Sequence, residues 1–243
     1  MVAEPVRAAT ETLRPGVLTV IIPVYNERAT FIELIESVRA VPIPLDIVIV
    51  DDCSTDGTRE LLRERVDGSF ANVRVLYHET NQGKGMAIRT AIPYAAGEFT
   101  IVQDADLEYY PEDYLPMLAG FADPEVTAVY GSRFMNGFPD MRLPNRIVNI
   151  LLAWMVRVLF RTPMTDEATC YKAFRTRDLQ NVRLNCRRFE FCPEVTAKVI
   201  RNGGKIVEVP IRYTARTIAA GKKIRWTDGV DAIWTLIKYR FVR

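Results

Sequence analysis

The residues in this sequence that most directly suggest chemistry are two aspartates that follow a short apolar run. Asp104 and Asp106 flank Ala105, one residue beyond the run Phe99–Val102. Neighbouring carboxylates repel one another, and a hard divalent cation such as Mg2+ or Mn2+, shared with substrate phosphates, relieves that repulsion. The simpler alternative is a polar loop at the end of a strand, because short acidic motifs often occur by chance.

Repeated strand, loop and helix patterns precede the acid pair and indicate the fold that positions it. Leu18–Pro23 and Ile47–Val50 are β-branched apolar runs of strand length, each followed by a polar loop and then by helical spacing of apolar residues. A third such run is Val73–Tyr77. Strands that alternate with helices predict a mostly parallel α/β sheet whose ligand-binding loops gather at the carboxyl ends of its strands.

The second half of the chain has a less regular pattern. Further strands are expected over Val126–Tyr130 and, as an edge strand before Pro210, over Lys205–Val209. Helices are expected over Pro111–Phe121, from near Glu194 to Asn202, and over Gly229–Arg240.

Length and composition indicate an ordinary globular protein. The chain has 243 residues, of which 49% are hydrophobic and 26% charged, enough for a full core. Residues 1–16 lack the features of a signal peptide and are expected to form a flexible polar arm. Residues 17–243 are expected to form a single domain, in which residues 17–135 carry the acid pair and 136–243 form a second half.

Cysteine and histidine usage bears on metal and redox chemistry. The four cysteines show no CxxC pairing, and His78 is the only histidine. Neither a zinc cage nor a disulfide framework is indicated, and a reducing cytosolic compartment fits.

The net charge of +2 conceals an uneven distribution. Residues 1–141 contain 11 Lys or Arg against 22 Asp or Glu, whereas residues 142–243 contain 21 against 8. A basic second half suits nucleic acid, an anionic membrane surface or a phosphate-bearing substrate. Because aromatic residues are not interleaved with the basic ones in a stacking pattern, nucleic acid is not expected as a partner.

Loops after the first two strands carry candidate binding residues. Tyr25 can stack on a nucleobase, and Glu27 and Asp52 can accept hydrogen bonds from base or ribose donors. The alternative for the second loop is that Asp51 or Asp52 caps the following helix.

Glycines and basic residues elsewhere suit an anion. Gly83-Lys84-Gly85 allows close backbone approach to a phosphate and offers one cation, although a solvated turn that opens a helix explains it equally. Three basic residues near the C-terminus are candidates for neutralising a departing diphosphate, with a solvated basic loop as the alternative: Arg216, Lys222 and Lys223.

Residues 146–161 form an apolar segment with one narrow polar stripe. At 100° per residue, Arg146, Asn149, Arg157 and Arg161 fall on one side, and apolar residues cover the rest. A bilayer span needs about 20 apolar residues, so the segment is expected to lie in a membrane interface or to dock on a partner's membrane segment. A helix covered by the sheet is the alternative. The final helix is also expected at a membrane surface.

Five motifs in order resemble glycosyltransferase family 2, particularly its dolichol-phosphate mannosyltransferase-like branch. They are Val20-Ile-Ile-Pro-Val-Tyr-Asn-Glu27, Val50-Asp-Asp-Cys-Ser-Thr-Asp-Gly-Thr58, Asn81-Gln-Gly-Lys-Gly85, Asp104-Ala-Asp106 and Gly131-Ser-Arg-Phe134. The resemblance, which covers roughly residues 18–240, implies a GT-A fold, a nucleotide-sugar donor and an inverting transfer. Residues 17–135 would then form the nucleotide-sugar and metal half, and residues 136–243 the acceptor and membrane-facing half.

The resemblance also implies roles for individual residues. Pro23, Tyr25, Glu27 and Asp52 would surround the nucleotide, with Asp104 and Asp106 on the metal. Glu108 departs from the glutamine that related enzymes often have, and as a third acid it would either ligate the metal or disturb its charge balance. Arg133, Arg146 and Asn149 would hold the acceptor phosphate.

Asp166 lies in a segment that resembles the acceptor-side motif of the family. If the acceptor is a sugar hydroxyl, Asp166 would act as the general base. If the acceptor is a polyprenyl phosphate, its oxygen is already anionic and no strong base is required. The basic second half favours the phosphate.

The sequence therefore predicts a metal-dependent enzyme that transfers mannose or glucose, from GDP-mannose or UDP-glucose, to a polyprenyl phosphate. It would be cytoplasmic and peripherally attached to an anionic membrane, and a partner subunit that anchors it is compatible with this. Two alternatives remain at this point: transfer to a carbohydrate hydroxyl, and a non-catalytic membrane-associated scaffold.

Overall fold

The computed structural model describes residues 17–216 and 226–242. The expected N-terminal arm, residues 1–16, and the candidate diphosphate ligands Lys222 and Lys223 lie outside the described residues.

Seven strands form one sheet within the described residues. Their order across the sheet is β3-β2-β1-β4-β6-β5-β7. Pairing is parallel throughout except at β6, which runs antiparallel to both β4 and β5. The strands are β1 Leu18–Val24, β2 Leu45–Asp51, β3 Val73–Tyr77, β4 Phe99–Val102, β5 Val126–Ser132, β6 Lys172–Arg175 and β7 Lys205–Pro210.

Helices connect most of these strands. Short 3-10 turns at Ile92–Tyr94 and Pro111–Asp113 adjoin two of the helices. The helices are α1 Phe31–Ala40, α2 Thr58–Arg65, α3 Lys84–Ala91, α4 Tyr114–Ala119, α5 Leu143–Phe160, α6 Thr176–Asn181, α7 Phe191–Arg201 and α8 Trp226–Phe241.

Two apolar clusters cover the two faces of the sheet. Alternate residues of β1 belong to different clusters: Val20 and Ile22 pack in one, and Ile21 packs in the other. This alternation follows from the two-residue period of a strand, and burial on both faces explains why β1 is apolar almost throughout.

The prediction of a mostly parallel α/β sheet with flanking helices is confirmed. The expected edge strand is β7, at one end of the sheet. The strand β6 was not expected, because its four residues, two of them basic, give no run of strand length or alternation.

Helix α5 is longer than the segment predicted for it, since it begins at Leu143 rather than Arg146. With 18 residues, it is the one helix among the described residues that has the length and apolar composition of a membrane span. Its buried face, which includes Leu152, Ala153 and Val156, belongs to the protein core. The opposite face exposes Leu143, Ile147, Ile150, Leu151, Trp154 and Val158.

A buried polar residue joins β4 to its neighbours. Gln103, which follows β4 directly, is fully buried, and its side-chain carbonyl accepts hydrogen bonds from the hydroxyls of Tyr114 (2.6 Å) and Tyr171 (2.5 Å). Its amide donates to the backbone carbonyl of Asp104 at 2.9 Å. Gln103 therefore ties the start of the acidic loop to α4 and to the residue before β6.

Replacement of Gln103 by leucine is expected to lower the free energy of unfolding by about 3 kcal/mol, because two buried hydroxyls lose their acceptor. Tyr114→Phe removes one donor without leaving a hydroxyl unpaired and is expected to cost about 1 kcal/mol. Urea unfolding of both variants measures the difference. Equal losses for the two would contradict this role of Gln103.

Candidate functional site

The ends of the strands bring the candidate residues to one edge of the sheet. Because β1, β2, β4 and β5 are parallel, the loops that follow them emerge on the same side. The loop that precedes β6 emerges there too, because β6 runs in the opposite direction. The site is therefore formed by residues 25–27, 52, 103–108, 133 and 166–171.

Asp104 and Asp106 lie together at the centre of this edge. Asp104 forms an ion pair with Lys84, with 2.5 Å between Nζ and Oδ1. Burial, followed by repulsion from Asp104 and Glu108, raises the pKa of Asp106 to about 7. Negative charge is thus only partly compensated at this point, which is the condition that a bound cation relieves.

The donor set suits a small divalent cation that is shared with phosphates. Mg2+ is commonly held by one or two carboxylates together with substrate phosphates and water. Asp104 and Asp106 supply two carboxylates, and the one ion pair found between them and a basic side chain is that of Asp104 with Lys84, among the described residues. No group of three or more His, Cys, Asp or Glu side chains with a metal-binding arrangement occurs within residues 17–216 and 226–242. The residues present fit the two-carboxylate arrangement.

Glu108, the expected third metal ligand, contacts the segment that follows β7. One carboxylate oxygen accepts a hydrogen bond from the hydroxyl of Tyr213 at 2.7 Å, and the other accepts from the backbone N–H of Arg216 at 2.7 Å. Its own N–H donates to Asp106 Oδ1 at 3.1 Å. In this geometry both carboxylate oxygens of Glu108 accept hydrogen bonds from protein groups.

Asp52 holds the loop that carries Lys84. The buried carboxylate accepts hydrogen bonds from the backbone N–H groups of Gln82 (2.8 Å) and Gly83 (2.7 Å) and contacts His78 Nδ1 at 2.7 Å. The sequence did not indicate this role for His78. Asp52 therefore organises the loop that carries Lys84, and the helix-cap alternative is not observed for its side chain.

The glycines beside Lys84 permit close approach of another protein segment. The N–H groups of Gly85 and Met86 donate to the carbonyls of Arg188 and Arg187 at 3.0 and 2.9 Å. A Cβ added to Gly85 would lie 2.7 Å from the Arg188 carbonyl oxygen. These amides are occupied by protein, so the Lys84 ammonium is the group of this loop that is suited to meet an anion.

The first loop brings its polar residues to the same edge. Glu27 pairs with Arg216, with 3.0 Å between Oε2 and a guanidinium nitrogen, and contacts the Thr30 hydroxyl at 3.1 Å. Tyr25 and Pro23 are half-buried beside it. Of the three basic residues expected near a diphosphate, Arg216 is thus placed at the site.

Arg133 and Asp166 form a buried ion pair. The Arg133 guanidinium donates to Oδ2 of Asp166 at 2.7 Å and to Oδ1 at 2.8 Å, and its backbone N–H donates to Oδ2 at 3.0 Å. Glu208 on β7 accepts from the N–H groups of Thr165 and Asp166 at 2.7 and 2.8 Å. Asp166 is therefore held in place and in turn orients Arg133.

A cleft of about 510 Å3 opens beside Arg133. The guanidinium of Arg146 lies 4.9 Å from the ring centre of Phe138, which lines the cleft. Asn149, expected beside the same phosphate, contacts Met141 instead, at 3.5 Å, and does not line the cleft. The lining residues are Tyr110, Arg133, Asn136, Gly137, Phe138, Pro139, Ile211, Arg212, Tyr213 and Thr214.

A column of tyrosine rings connects Gln103 with Arg133. Tyr171 stacks on Tyr109 with 4.6 Å between ring centres, and Tyr109 lies 5.3 Å from Tyr213. The Arg133 guanidinium lies 5.0 Å from the Tyr213 ring centre. Sequence reasoning missed these residues, because a tyrosine that packs against a ring and one that meets solvent have the same local pattern.

The fold and the site together define a GT-A glycosyltransferase: a mostly parallel sheet with an acid pair after its fourth strand. Residues 19–182 match the model of glycosyl transferase family 2, and the chain belongs to that family. It is 30% identical over 220 aligned residues to polyprenol monophosphomannose synthase of Mycolicibacterium smegmatis. The aligned region covers 87% of this chain and 83% of the relative. The predicted family is confirmed.

Other relatives extend the comparison. A UDP-N-acetylglucosamine–dolichyl-phosphate N-acetylglucosaminyltransferase of Methanococcus voltae is 27% identical, covering 84% of this chain and 89% of the relative. Glucosyl-3-phosphoglycerate synthase from Mycobacterium tuberculosis, solved with Mn2+, UDP and phosphoglyceric acid, has a TM-score of 0.70 at 16% identity, over 97% of this chain and 81% of that one. A mannosyltransferase from Pyrobaculum calidifontis, solved with GDP-Man and Mn2+, has a TM-score of 0.55 at 22% identity, over 81% and 55%.

Behind Asp166 the fold buries a second carboxyl group. Glu167 is inaccessible to solvent, one of its oxygens has no hydrogen-bond partner, and Lys172 donates to its backbone carbonyl at 2.6 Å. Burial raises the pKa of Glu167 to about 7. Since this folded-state pKa exceeds the ordinary value of 4.5, folding favours the protonated carboxyl, and stability falls as pH rises from about 4.5 through 7.

Glu167→Gln, which imitates the protonated carboxyl, is expected to gain stability relative to the unchanged protein as pH rises. The gain between pH 5 and pH 8 is expected to be on the order of 2 kcal/mol, measured by urea unfolding at both values. The exposed residue Glu64 provides the matched variant Glu64→Gln, for which no such trend is expected. A difference between the Glu167 variant and the unchanged protein that stays constant with pH would refute the assignment.

Proposed function

We propose that this protein transfers a hexose, mannose or glucose, from a nucleotide-diphosphate sugar to a polyprenyl phosphate at the cytosolic face of a membrane. The observation that carries the proposal is the buried Arg133, which Asp166 holds beside a cleft on the same sheet edge as the acid pair. The names of the M. smegmatis and M. voltae relatives support a polyprenyl-type phosphate acceptor.

On the donor side, Asp104 and Asp106 would hold Mg2+ or Mn2+ against the diphosphate. The cation supplies charge stabilisation for the leaving diphosphate. Lys84 and Arg216, whose present partners are Asp104 and Glu27, would contact the same phosphates, and Tyr25 and Pro23 would border the base. GDP-mannose and UDP-glucose both remain candidates for the donor. Since Glu108 already binds Tyr213 and Arg216, we assign the metal to the two aspartates.

On the acceptor side, Arg133 would pair with the lipid phosphate and aim one of its oxygens at the anomeric carbon. Attack opposite the diphosphate forms the new carbon–oxygen bond as the bond to the diphosphate oxygen breaks, so the anomeric configuration inverts. The phosphate oxygen is already ionised and loses no proton in this step. The reaction therefore needs orientation and charge compensation from Arg133 and Arg146, and no general base.

The alternative with a sugar hydroxyl as acceptor assigns Asp166 as the general base. Both carboxylate oxygens of Asp166 are held by the Arg133 guanidinium, and the residue is inaccessible to solvent. A general base must lie within hydrogen-bond reach of the acceptor hydroxyl, and Asp166 presents no solvent-accessible oxygen to one. This geometry favours the phosphate acceptor.

Membrane attachment is assigned to α5 and α8, which pack against each other. Trp154 on α5 and Trp234 on α8 are 55% and 63% exposed, and tryptophan is enriched at membrane interfaces. Lys238 and Arg240 near the end of α8 would meet anionic head groups. This arrangement supports a peripheral attachment, and a membrane-anchoring partner subunit would use the same two helices.

Transfer itself is tested by incubation of the protein with a lipid extract and radiolabelled GDP-mannose or UDP-glucose. Label is expected in the organic phase, and Asp104→Asn or Asp106→Asn is expected to reduce it by about 100-fold or more. Glu36→Gln, at an exposed position of α1, serves as the charge control.

Near-normal transfer by both aspartate variants would exclude the metal role. Label that stays in water would exclude the lipid acceptor, and an absence of turnover of any donor would favour the scaffold.

Asp166→Asn separates the two acceptor chemistries. If Asp166 positions Arg133, the KM for the lipid acceptor is expected to rise about tenfold, with the pH profile of kcat unchanged. Arg133→Lys is expected to act similarly, because a lysine cannot bind both carboxylate oxygens in parallel. A fall in kcat of about 100-fold, together with loss of the decrease in kcat at low pH that protonation of a base produces, would instead identify Asp166 as a general base.

A further inference from the structure

Glu108 forms hydrogen bonds with groups on both sides of the candidate site. Its N–H donates to Asp106 Oδ1 at 3.1 Å, on the donor side. Its carboxylate and its backbone carbonyl accept three hydrogen bonds from the segment that follows β7: from the Tyr213 hydroxyl (2.7 Å), the Arg216 N–H (2.7 Å) and the Thr214 N–H (2.9 Å).

The groups that Glu108 holds are those that the function proposed above places at the two substrates. The Tyr213 ring lies under Arg133, with 5.0 Å between the guanidinium and the ring centre, and also lines the cleft. Arg216, which follows Tyr213 by three positions, pairs with Glu27 on the first loop. Displacement of residues 213–216 would therefore move the support of Arg133 and the position of Arg216 together.

Other contacts of the same segment lie closer to solvent. Arg212 binds Asp113 at 2.9 Å and Glu112 at 3.2 Å, and the Arg212 and Glu112 side chains are both more than half exposed. Tyr110 contacts Thr214 hydroxyl to hydroxyl at 2.6 Å. Glu108 itself is only 8% exposed, so water weakens its hydrogen bonds less than it weakens the contact between Arg212 and Glu112.

We propose that Glu108 is a positioning residue that fastens residues 213–216 to the acidic loop and so sets Arg133 and Arg216 relative to Asp104 and Asp106. The consequence for catalysis rests on the function proposed above, whereas the fastening itself does not. The proposal gives the carboxylate at position 108 a role toward the protein in place of a role toward the metal.

Hydrogen exchange measures the fastening without any substrate. In Glu108→Met, which keeps the side-chain volume but removes both acceptors, the Arg216 amide is expected to exchange about tenfold faster or more, the loss expected for one hydrogen bond to a carboxylate. Glu108→Gln retains one acceptor and is expected to restore most of the protection. Glu112→Met makes the same change at an exposed contact of the segment and is expected to leave Arg216 unchanged.

The result that overturns the proposal is an Arg216 amide that exchanges at the unchanged rate in Glu108→Met. Glu108→Ala provides a second variant for the same measurement if the methionine does not fit. Calorimetric titration of Mn2+ in the presence of GDP or UDP gives an independent reading. An affinity loss of about tenfold or more with unchanged Arg216 exchange would assign Glu108 to the metal instead. Failure of lipid glycosylation would leave the exchange result intact, so the two proposals fail separately.

Discussion

Electrostatic repulsion among carboxylates at the carboxyl edge of the sheet is the constraint on which the rest of the site depends. Parallel strands deliver acidic side chains from several loops to one place, where burial makes their mutual repulsion stronger. Lys84 compensates Asp104, and Arg216 compensates Glu27. Burial and its acidic neighbours nevertheless raise the pKa of Asp106 to about 7. In the function proposed above, a cation would supply the missing positive charge at this edge, and Lys84 and Arg216 would meet the phosphates.

Among the described residues, the one antiparallel strand, β6, explains how the Arg133–Asp166 pair comes to lie at the same sheet edge as the acid pair. Because β6 runs against its neighbours, the residues before it, and not those after it, reach the carboxyl edge. Asp166 is therefore brought to Arg133, which follows β5. The strands that carry the acid pair and Arg133 belong to one continuous sheet, so the distance between these groups is set by strand spacing rather than by a movable domain interface.

Aromatic packing transmits this geometry. Gln103 holds the hydroxyls of Tyr114 and Tyr171, and successive rings lead through Tyr109 to Tyr213 beneath Arg133. Such a column is stiff, because each ring has few rotamers and is packed on both sides. The acid pair follows Gln103 directly in the sequence, and the tyrosine column connects Gln103 to Arg133. The positions of the acid pair and of Arg133 therefore both depend on this one buried residue.

The sequence alone determined the alternating strands and helices, the acid pair at the end of β4 and the apolar character of α5, because period and strand-end position are local properties. It also determined the family, through five motifs in order. Only the tertiary structure decided that Asp52 holds a loop, that Asp166 binds Arg133 and that Glu108 binds residues 213–216. These partners are separated by 30 to 108 positions in the chain. A carboxylate has the same local pattern whether it binds a metal, a substrate or a distant amide, and only folding selects which of these lies within reach.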